Sequence, residues 1–231
     1  ALWDSAHATY QHKSGWKGRG ASRAEWSVKG AEFGLKLRLQ ESGQVGFFPE
    51  HMQYLSQLRT VVRALKTDER KPRVLNLFAY TGSFTVYAAT GGAISSVTVD
   101  LSNTYQDWSR RNFELNGLDL SRHSLVRADV FRYLQDAATA GERFDLIVMD
   151  PPSFSNSKKM LDILDVQRDQ QRLVDGAMAW SDWPISDVPL LIGRGLGCRM
   201  RLDDPRVSRI QCEVMVSGGL PRLRNRSESS P

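Results

Sequence analysis

The chain has 231 residues, 41% of them hydrophobic, and its 31 Lys+Arg exceed its 26 Asp+Glu to give a net charge of +5. This length predicts one α/β domain with additional structure at its ends. No run approaches the roughly 20 apolar residues of a membrane-spanning helix, and the chain does not start like a signal peptide, so we expect a cytoplasmic protein. The two cysteines, Cys198 and Cys212, form no CxxC pair, which argues against a disulfide framework and against a metal site.

Residues 1–31 combine basic, aromatic and glycine residues without periodicity, and we interpret them as an arm or linker. The basic positions include Lys13, Lys17, Arg19 and Arg23. Such a composition can contact phosphates and stack on bases, and the positive net charge has the sign expected of a nucleic-acid binder. A poorly ordered terminus fits the same composition and a solvated basic surface fits the same charge, so these interpretations stay open.

Residues 32–70 predict a small β-ribbon followed by a lead-in helix. Apolar residues alternate with polar ones at Phe33, Leu35, Leu37 and Leu39, which is the period of a half-buried strand, and a turn-like segment follows at 43–46. From Met52 to Leu65, apolar residues recur at steps of three and four, which predicts an amphipathic helix.

Residues 71–178 predict the core of the domain. A short apolar or β-branched run is followed repeatedly by a polar turn and an amphipathic helix. The predicted strands are 74–78, 96–99, 125–128 and 144–149, and the predicted helices are 84–89, 105–116 and 131–138. This alternation indicates an α/β fold of the Rossmann-like kind, a mostly parallel sheet with helices on both faces, in which ligands bind at the carboxyl ends of the strands.

The predicted strand ends carry residues that a ligand site can use. After the first strand, Gly82 lets the backbone approach a ligand and Ser83 is a candidate helix cap, although a single glycine is weak evidence for a cofactor loop. Asp100 ends the second strand, where a carboxylate can accept hydrogen bonds from both ribose hydroxyls, as it also does in nicotinamide-dependent dehydrogenases. Residues 150–154 (DPPSF) end the fourth strand in a rigid turn, and Phe154 offers a flat face on which a base can stack.

The combined pattern at residues 74–82 (VLNLFAYTG), 99–100, 112–118, 128–129 and 150–154 resembles the class I S-adenosylmethionine-dependent methyltransferases that act on ribosomal RNA. The resemblance is greatest to the N7-guanine methyltransferase half of the bacterial large-subunit enzymes of the K/L type, through residues 104–108 (TYQDW), 153–158 (SFSNSK) and 165–169 (DVQRD). Residues 43–50 (GQVGFFPE) are similar to a related methyltransferase group. The resemblance runs from about residue 32 to 178.

The resemblance implies a role for each matched residue. It places the S-adenosylmethionine cofactor against Asn76, Phe78, Tyr80, Thr81, Gly82, Asp100, Asp129, Val130 and Phe131. Within that set, the segment 76–82 lines the methionine part, Asp100 holds the ribose, and Asp129 meets the adenine amino group with residues 130–131 beside the ring. The target base of a ribosomal RNA partner then faces the catalytic residues Asp150, Pro151, Pro152 and Phe154.

The target atom is left open by these residues. Guanine N7 has a free lone pair and needs no base, whereas an exocyclic amine would donate its hydrogens to Asp150 and the Pro151 carbonyl. Methylation at cytosine C5 requires a nucleophilic cysteine, and both cysteines lie beyond the matching region. His51 and His123 are interpreted as surface or packing residues. A non-catalytic remnant that binds cofactor or RNA, and a nicotinamide-dependent dehydrogenase, are the competing functional classes.

Residues 179–231 depart from the family pattern, which ends in an apolar strand, Ser-Asn-Asn and an antiparallel strand pair. We interpret them as a divergent tail that is disordered or read in a shifted frame. We predict that translation of the encoding DNA in an adjacent frame yields an apolar strand followed by a Ser-Asn-Asn-like sequence. Absence of that sequence from both frames, together with a tail that resists proteolysis, would show that the tail is native.

Overall fold

The computed structural model describes residues 8–18, 25–30, 32–69, 71–152, 154–155, 164–165, 190–193, 200–201, 212–217 and 220–225. Among these residues, no helix is both long and apolar enough to cross a bilayer.

A four-stranded parallel sheet forms the centre of the protein. Its strands are β5 (Arg73–Leu77), β6 (Ser95–Asp100), β7 (His123–Arg127) and β8 (Leu146–Met149), in the spatial order β7-β6-β5-β8. All three pairings are parallel. β5, the first strand of this sheet along the chain, lies inside the sheet, with β6 and β7 on one side and β8 on the other. The strand order therefore changes direction at β5, and the carboxyl ends of β5, β6 and β8 meet at the kind of switch point where α/β sheets bind ligands. The predicted Rossmann-like fold is confirmed.

Four α-helices cover this sheet, namely α1 (Met52–Leu65), α2 (Ser83–Thr90), α3 (Asn103–Leu115) and α4 (Val130–Ala140). Residues on α4 pack with Leu75, Leu77 and Val99 in one hydrophobic cluster. Residues on α1 and α2 pack with Val74 in a second cluster. Since successive side chains of a strand point to opposite faces, β5 contributes to both clusters and the sheet is buried on both sides.

Two small antiparallel ribbons precede this core. β1 (Thr9–Gln11) pairs with β2 (Gly15–Lys17), and β3 (Trp26–Lys29) pairs with β4 (Gly34–Leu37). The range 1–31, interpreted from the sequence as an arm or linker, therefore contains three strands, and the ribbon predicted from residue 32 begins at Trp26. β1 and β2 have three residues each, which is too few to show a period in the sequence.

Side chains of helix α3 and of Asn116 hold the β3–β4 ribbon against the core. Asn116, which follows α3, accepts from the Gly34 amide and donates to the Gly34 carbonyl, both at 2.7 Å. Asn112 accepts from the Lys36 amide at 2.7 Å, and the Trp108 indole donates to the Lys36 carbonyl at 2.8 Å. Residues spaced by four lie on one helix face, so these side chains bond the edge of β4 as a neighbouring strand would.

Short strands also occur beyond Pro152. β9 (Phe154–Ser155) pairs with β10 (Leu164–Asp165), and a separate four-stranded sheet contains β11 (Leu190–Gly193), β12 (Met200–Arg201), β13 (Cys212–Ser217) and β14 (Leu220–Asn225). The antiparallel pairing of β13 with β14 was not expected from the sequence. Within the described residues, none of these strands extends the parallel sheet.

We predict that Gly46→Ala destabilises the protein more than Gly117→Ala does, by about 1–3 kcal/mol. Both glycines have positive φ, +91° and +67°, so both substitutions carry a backbone penalty of roughly 1–2 kcal/mol. A Cβ on Gly46 would overlap the Trp108 ring, whereas a Cβ on Gly117 meets nothing within 4 Å. Urea unfolding followed by tryptophan fluorescence measures the difference. Equal losses in the two variants would contradict the close packing of Gly46 against α3.

Candidate active site

The loop after β5 has an unusual backbone. Phe78 and Tyr80 have φ of 55° and 51°, and Gly82 has φ of 72°. A non-glycine residue with positive φ carries backbone strain of order 1–3 kcal/mol, which persists only where surrounding contacts fix the conformation. Three amide donors do so here: Ala79 N bonds Val99 O at 3.1 Å, Tyr80 N bonds Asp100 Oδ2 at 2.9 Å, and Gly82 N bonds Ala79 O at 2.8 Å.

Asp100 lies at the end of β6 beside this loop. Its Oδ2 accepts from the Tyr80 amide, and its Oδ1 accepts from the Ser102 amide at 2.8 Å. Burial raises the pKa of the Asp100 carboxyl, while these two amide hydrogen bonds act in the opposite direction. Each carboxylate oxygen has a second lone pair, so Asp100 can still accept hydrogen bonds from a ligand while it holds the loop.

Gly82 is the N-cap of α2, and no side chain caps this helix. The expectation that Ser83 caps the helix is therefore wrong, because Ser83 is already its first residue. The glycine is also required by packing, since a Cβ at this position would lie 2.9 Å from both Phe113 Cε1 and Ser109 Oγ of α3. The close approach of α3, in addition to any ligand, explains the glycine.

Two of the predicted cofactor residues belong to the core. Asn76 has no exposed surface, and its Nδ2 donates to Thr85 Oγ1 at 3.1 Å beneath α2. Val130 is 4% exposed and belongs to the cluster under α4. Asn76 lies in β5 and Val130 begins α4, each beside residues predicted to face the cofactor, so the sequence pattern alone did not distinguish these two buried residues from their neighbours.

Asp129 and Phe131 lie at the start of α4, after β7. Asp129 is the N-cap of the helix, and its Oδ1 accepts from the Arg132 amide at 3.1 Å. Phe131 is half-buried against the hydrophobic cluster beneath α4. The carboxylate of Asp129 therefore has a structural role at the helix terminus, where negative charge is favourable.

The end of β8 brings Asp150 to the same edge of the sheet. Its amide contacts Leu77 O at 3.5 Å, and its side chain is 47% exposed. Pro151 is half-buried and Pro152 is exposed. The backbone of Phe154 begins β9, whereas its side chain and Ser153 lie outside the described part of the structure. Asp150 is thus an accessible acceptor next to the end of β5.

The segment between β4 and α1 contributes contacts that the sequence analysis did not assign. The Thr81 hydroxyl donates to Gly46 O at 2.7 Å, and Gln40 Nε2 donates to the Tyr80 hydroxyl at 2.6 Å. The Tyr80 ring contacts Phe48 and Tyr105, with centroids 5.2 and 4.6 Å apart. Burial raises the pKa of Tyr80 to about 12, so this phenol stays neutral. The GQVGFFPE motif at 43–50 was the available signal for these contacts.

His51 is a second residue of this segment whose position the sequence did not indicate. It ends the 3-10 helix Pro49–His51, and its Nε2 lies 3.7 Å from Asp150 Oδ2. The interpretation of His51 as a surface or packing residue therefore covers only part of its surroundings. His123, in contrast, is buried in β7, where its Nδ1 lies 2.9 Å from Ser96 Oγ, and burial lowers the pKa of its imidazole.

Asn112 connects the ribbon to the loop after β5. Besides accepting from the Lys36 amide, it donates from Nδ2 to Thr81 O at 2.8 Å, and its side chain is fully buried. One side chain therefore satisfies two backbone groups that belong to different segments. Loss of either bond would leave a buried polar group without its partner, which is expensive in a protein interior.

The first hairpin contacts the segment near Gln40. Trp16 Nε1 donates to Gln40 O at 2.7 Å, and the Tyr10 hydroxyl donates to Glu41 O at 3.1 Å. The polar atoms of Trp16 and Tyr10 thus form hydrogen bonds within the protein. Lys13 and Lys17 of the hairpin are exposed, whereas Arg19 and Arg23 lie outside the described residues.

Comparison with known proteins agrees with this geometry. A sequence model of the S-adenosylmethionine-dependent methyltransferase family matches residues 11–179. Ribosomal RNA large subunit methyltransferase K of Neisseria meningitidis is 76% identical over 106 residues, which are 46% of this chain and 30% of that protein. Ribosomal RNA large subunit methyltransferase K/L of Chromohalobacter salexigens is 51% identical over 159 residues, 69% of this chain and 20% of that protein. The chain thus spans less than a third of the length of either relative.

Solved structures show the same architecture. A SAM-dependent methyltransferase from Agrobacterium tumefaciens has a TM-score of 0.71 over 83% of this chain and 60% of its own, at 24% identity, which supports the fold alone. The protein SMU.776, crystallised in complex with SAH, has a TM-score of 0.63 over 72% of this chain and 41% of its own, at 29% identity. With a family match over most of the described core, the chain belongs to the S-adenosylmethionine-dependent methyltransferase family.

Proposed function

We propose that the chain transfers the methyl group of S-adenosylmethionine to a base of large-subunit ribosomal RNA, with guanine N7 as the target atom. The observation that carries this proposal is the 76% identity over 106 residues to ribosomal RNA large subunit methyltransferase K. The matching residues are only 30% of that relative, so the proposal concerns only the reaction of the matching region. A ribosomal RNA substrate also goes with the predicted cytoplasmic location.

The cofactor is proposed to lie across the ends of β5, β6 and β7. Asp100 accepts from the ribose hydroxyls, Asp129 accepts from the adenine amino group beside Phe131, and the loop of Phe78, Tyr80, Thr81 and Gly82 lines the methionine part. The unused lone pairs of Asp100 and the strained, tightly bonded loop support this arrangement. Asn76 and Val130, being buried, support the site from the core.

When bound, the cofactor would supply a methyl group on a sulfonium, whose sulfur leaves as a neutral thioether. The residues of the chain then have to align a nucleophilic nitrogen with that methyl group and exclude water. Asp150, Pro151, Pro152 and Phe154 are proposed to face the base, because they follow the strand next to β5. Guanine N7 is favoured because its lone pair needs no proton removal.

An exocyclic amine is the second candidate target. The observation in its favour is the 47% exposure of Asp150, whose carboxylate could accept hydrogens from such an amine. Cytosine C5 would need a cysteine at the site; Cys212 lies in β13, and Cys198 lies outside the described residues. A remnant that binds cofactor or RNA without turnover remains the alternative from a different class.

We also propose the division of the chain into an N-terminal arm at 1–31, ribbon and lead-in helix at 32–70, methyltransferase core at 71–178 and divergent tail at 179–231. The end of the family match at residue 179 supports the last boundary. The bonds between α3 and β4 support treating the ribbon as part of the functional unit with the core.

We predict that the purified chain incorporates labelled methyl groups from S-adenosylmethionine into ribosomal RNA lacking the modification, and that nucleoside mass spectrometry identifies 7-methylguanosine. A product methylated on an exocyclic amine would replace guanine N7 by the second candidate. Cofactor binding without any incorporation would favour the non-catalytic remnant.

We predict that Asp100→Asn weakens S-adenosylmethionine binding roughly 10- to 100-fold, measured by calorimetry, because a charged acceptor of about 1.5–3 kcal/mol per hydrogen bond is replaced by an amide. Asp107→Asn, at an exposed position of α3, is the matched control and should bind normally. Since burial raises the pKa of Asp100 and protonation removes its charge, wild-type affinity should begin to fall at a higher pH than for an ordinary aspartate. A folded Asp100→Asn protein with unchanged affinity would refute the ribose assignment.

A further inference from the structure

His51 lies where three elements meet. Its ring packs between Phe48, the N-cap of the 3-10 helix that His51 ends, and Phe84 of α2, with both centroid distances at 5.3 Å. Its side chain is 18% exposed, and Nε2 lies 3.7 Å from the Asp150 carboxylate at the end of β8. The two aromatic contacts fix the plane of the imidazole, and the imidazole in turn faces the residue proposed to meet the target base.

The same aromatic contacts extend to the loop after β5. Phe48 contacts Tyr80 at a centroid distance of 5.2 Å, and the Tyr80 amide is bonded to Asp100. The base-facing end of β8 and the loop after β5 are therefore connected through the ring of Phe48, with His51 on one side and Tyr80 on the other.

We propose that His51 is a positioning residue for methyl transfer, which orients the Asp150 carboxylate toward the target base. The inference rests on the proposed function of this site. A carboxylate only accepts hydrogen bonds, so an imidazole that carries a proton on Nε2, 3.7 Å from Asp150 Oδ2, favours one orientation of that carboxylate. At 3.7 Å the contact is longer than a hydrogen bond, and catalytic contacts in structures without substrate are often longer than in the substrate complex.

Two substitutions separate this role from simple packing. His51→Phe keeps an aromatic ring between Phe48 and Phe84 but removes the N–H, whereas His51→Gln removes the ring and keeps an N–H donor. If His51 positions Asp150, the Phe variant should lose about tenfold or more in kcat, since small misplacements of reacting groups have large effects on rate. The Gln variant should recover part of that loss. His12→Gln, in the exposed turn of the first hairpin, is the matched control.

The cofactor Kd should stay within about twofold of wild type in both variants, because His51 faces Asp150 and not the residues assigned to the cofactor. Thermal unfolding provides the structural readout, and we expect His51→Phe to unfold at a temperature close to wild type. Normal kcat in His51→Phe, with a loss only in His51→Gln, would show that the ring packs and does nothing more, and would overturn the proposal.

A double-mutant cycle tests the pairing with Asp150 and does not depend on turnover. Binding of the ribosomal RNA fragment is measured to the protein saturated with S-adenosylhomocysteine, for wild type, His51→Phe, Asp150→Asn and the double variant. If His51 acts through Asp150, the double variant should bind no more weakly than Asp150→Asn alone. Additive losses would overturn the inference. An inactive wild-type chain would refute the proposed reaction, and the binding cycle would still decide the role of His51.

Discussion

The hydrogen bonds from α3 to β4 are the constraint on which the site depends. Trp108, Asn112 and Asn116 present side-chain donors and acceptors at four-residue spacing and occupy the free edge of a short strand. Without this pairing, a two-stranded ribbon is marginal in water. Because the chain continues from β4 through residues 38–51, fixing that strand also fixes the segment that reaches Tyr80, Thr81 and Asp150.

The loop after β5 shows how strain and support combine. Phe78 and Tyr80 are the two non-glycine residues of this loop that have positive φ. Tyr80 forms hydrogen bonds with Asp100, Gln40 and Ser109. Two opposing effects act on the charge of Asp100. Burial disfavours the ionised carboxylate, whereas the hydrogen bonds from two backbone amides stabilise it. A carboxylate that is already fixed loses little further freedom when a ligand binds, which favours preorganised recognition.

The sequence predicted what depends on local pattern and missed what depends on distant contacts. The four parallel strands, the four helices and the positions of Asp100 and Asp150 follow from periodicity and from the rule that ligands meet strand ends. The burial of Asn76 beneath α2 was not predicted, because a strand's period does not reveal which of its residues a helix covers. The approach of His51 to Asp150 spans ninety-nine positions and has no sequence period. The spacing of Trp108, Asn112 and Asn116 was a readable signal, but their partner was not.

The assignment of the cofactor to the strand ends is tested most directly by hydrogen exchange with and without S-adenosylhomocysteine. Bound ligand should slow exchange at the amides of residues 78–82 and 129–131 and at the end of β6, with little change in the first hairpin or at the distal end of α1. Saturating ligand that leaves these three segments unprotected, or protects amides elsewhere in their place, would contradict the assignment.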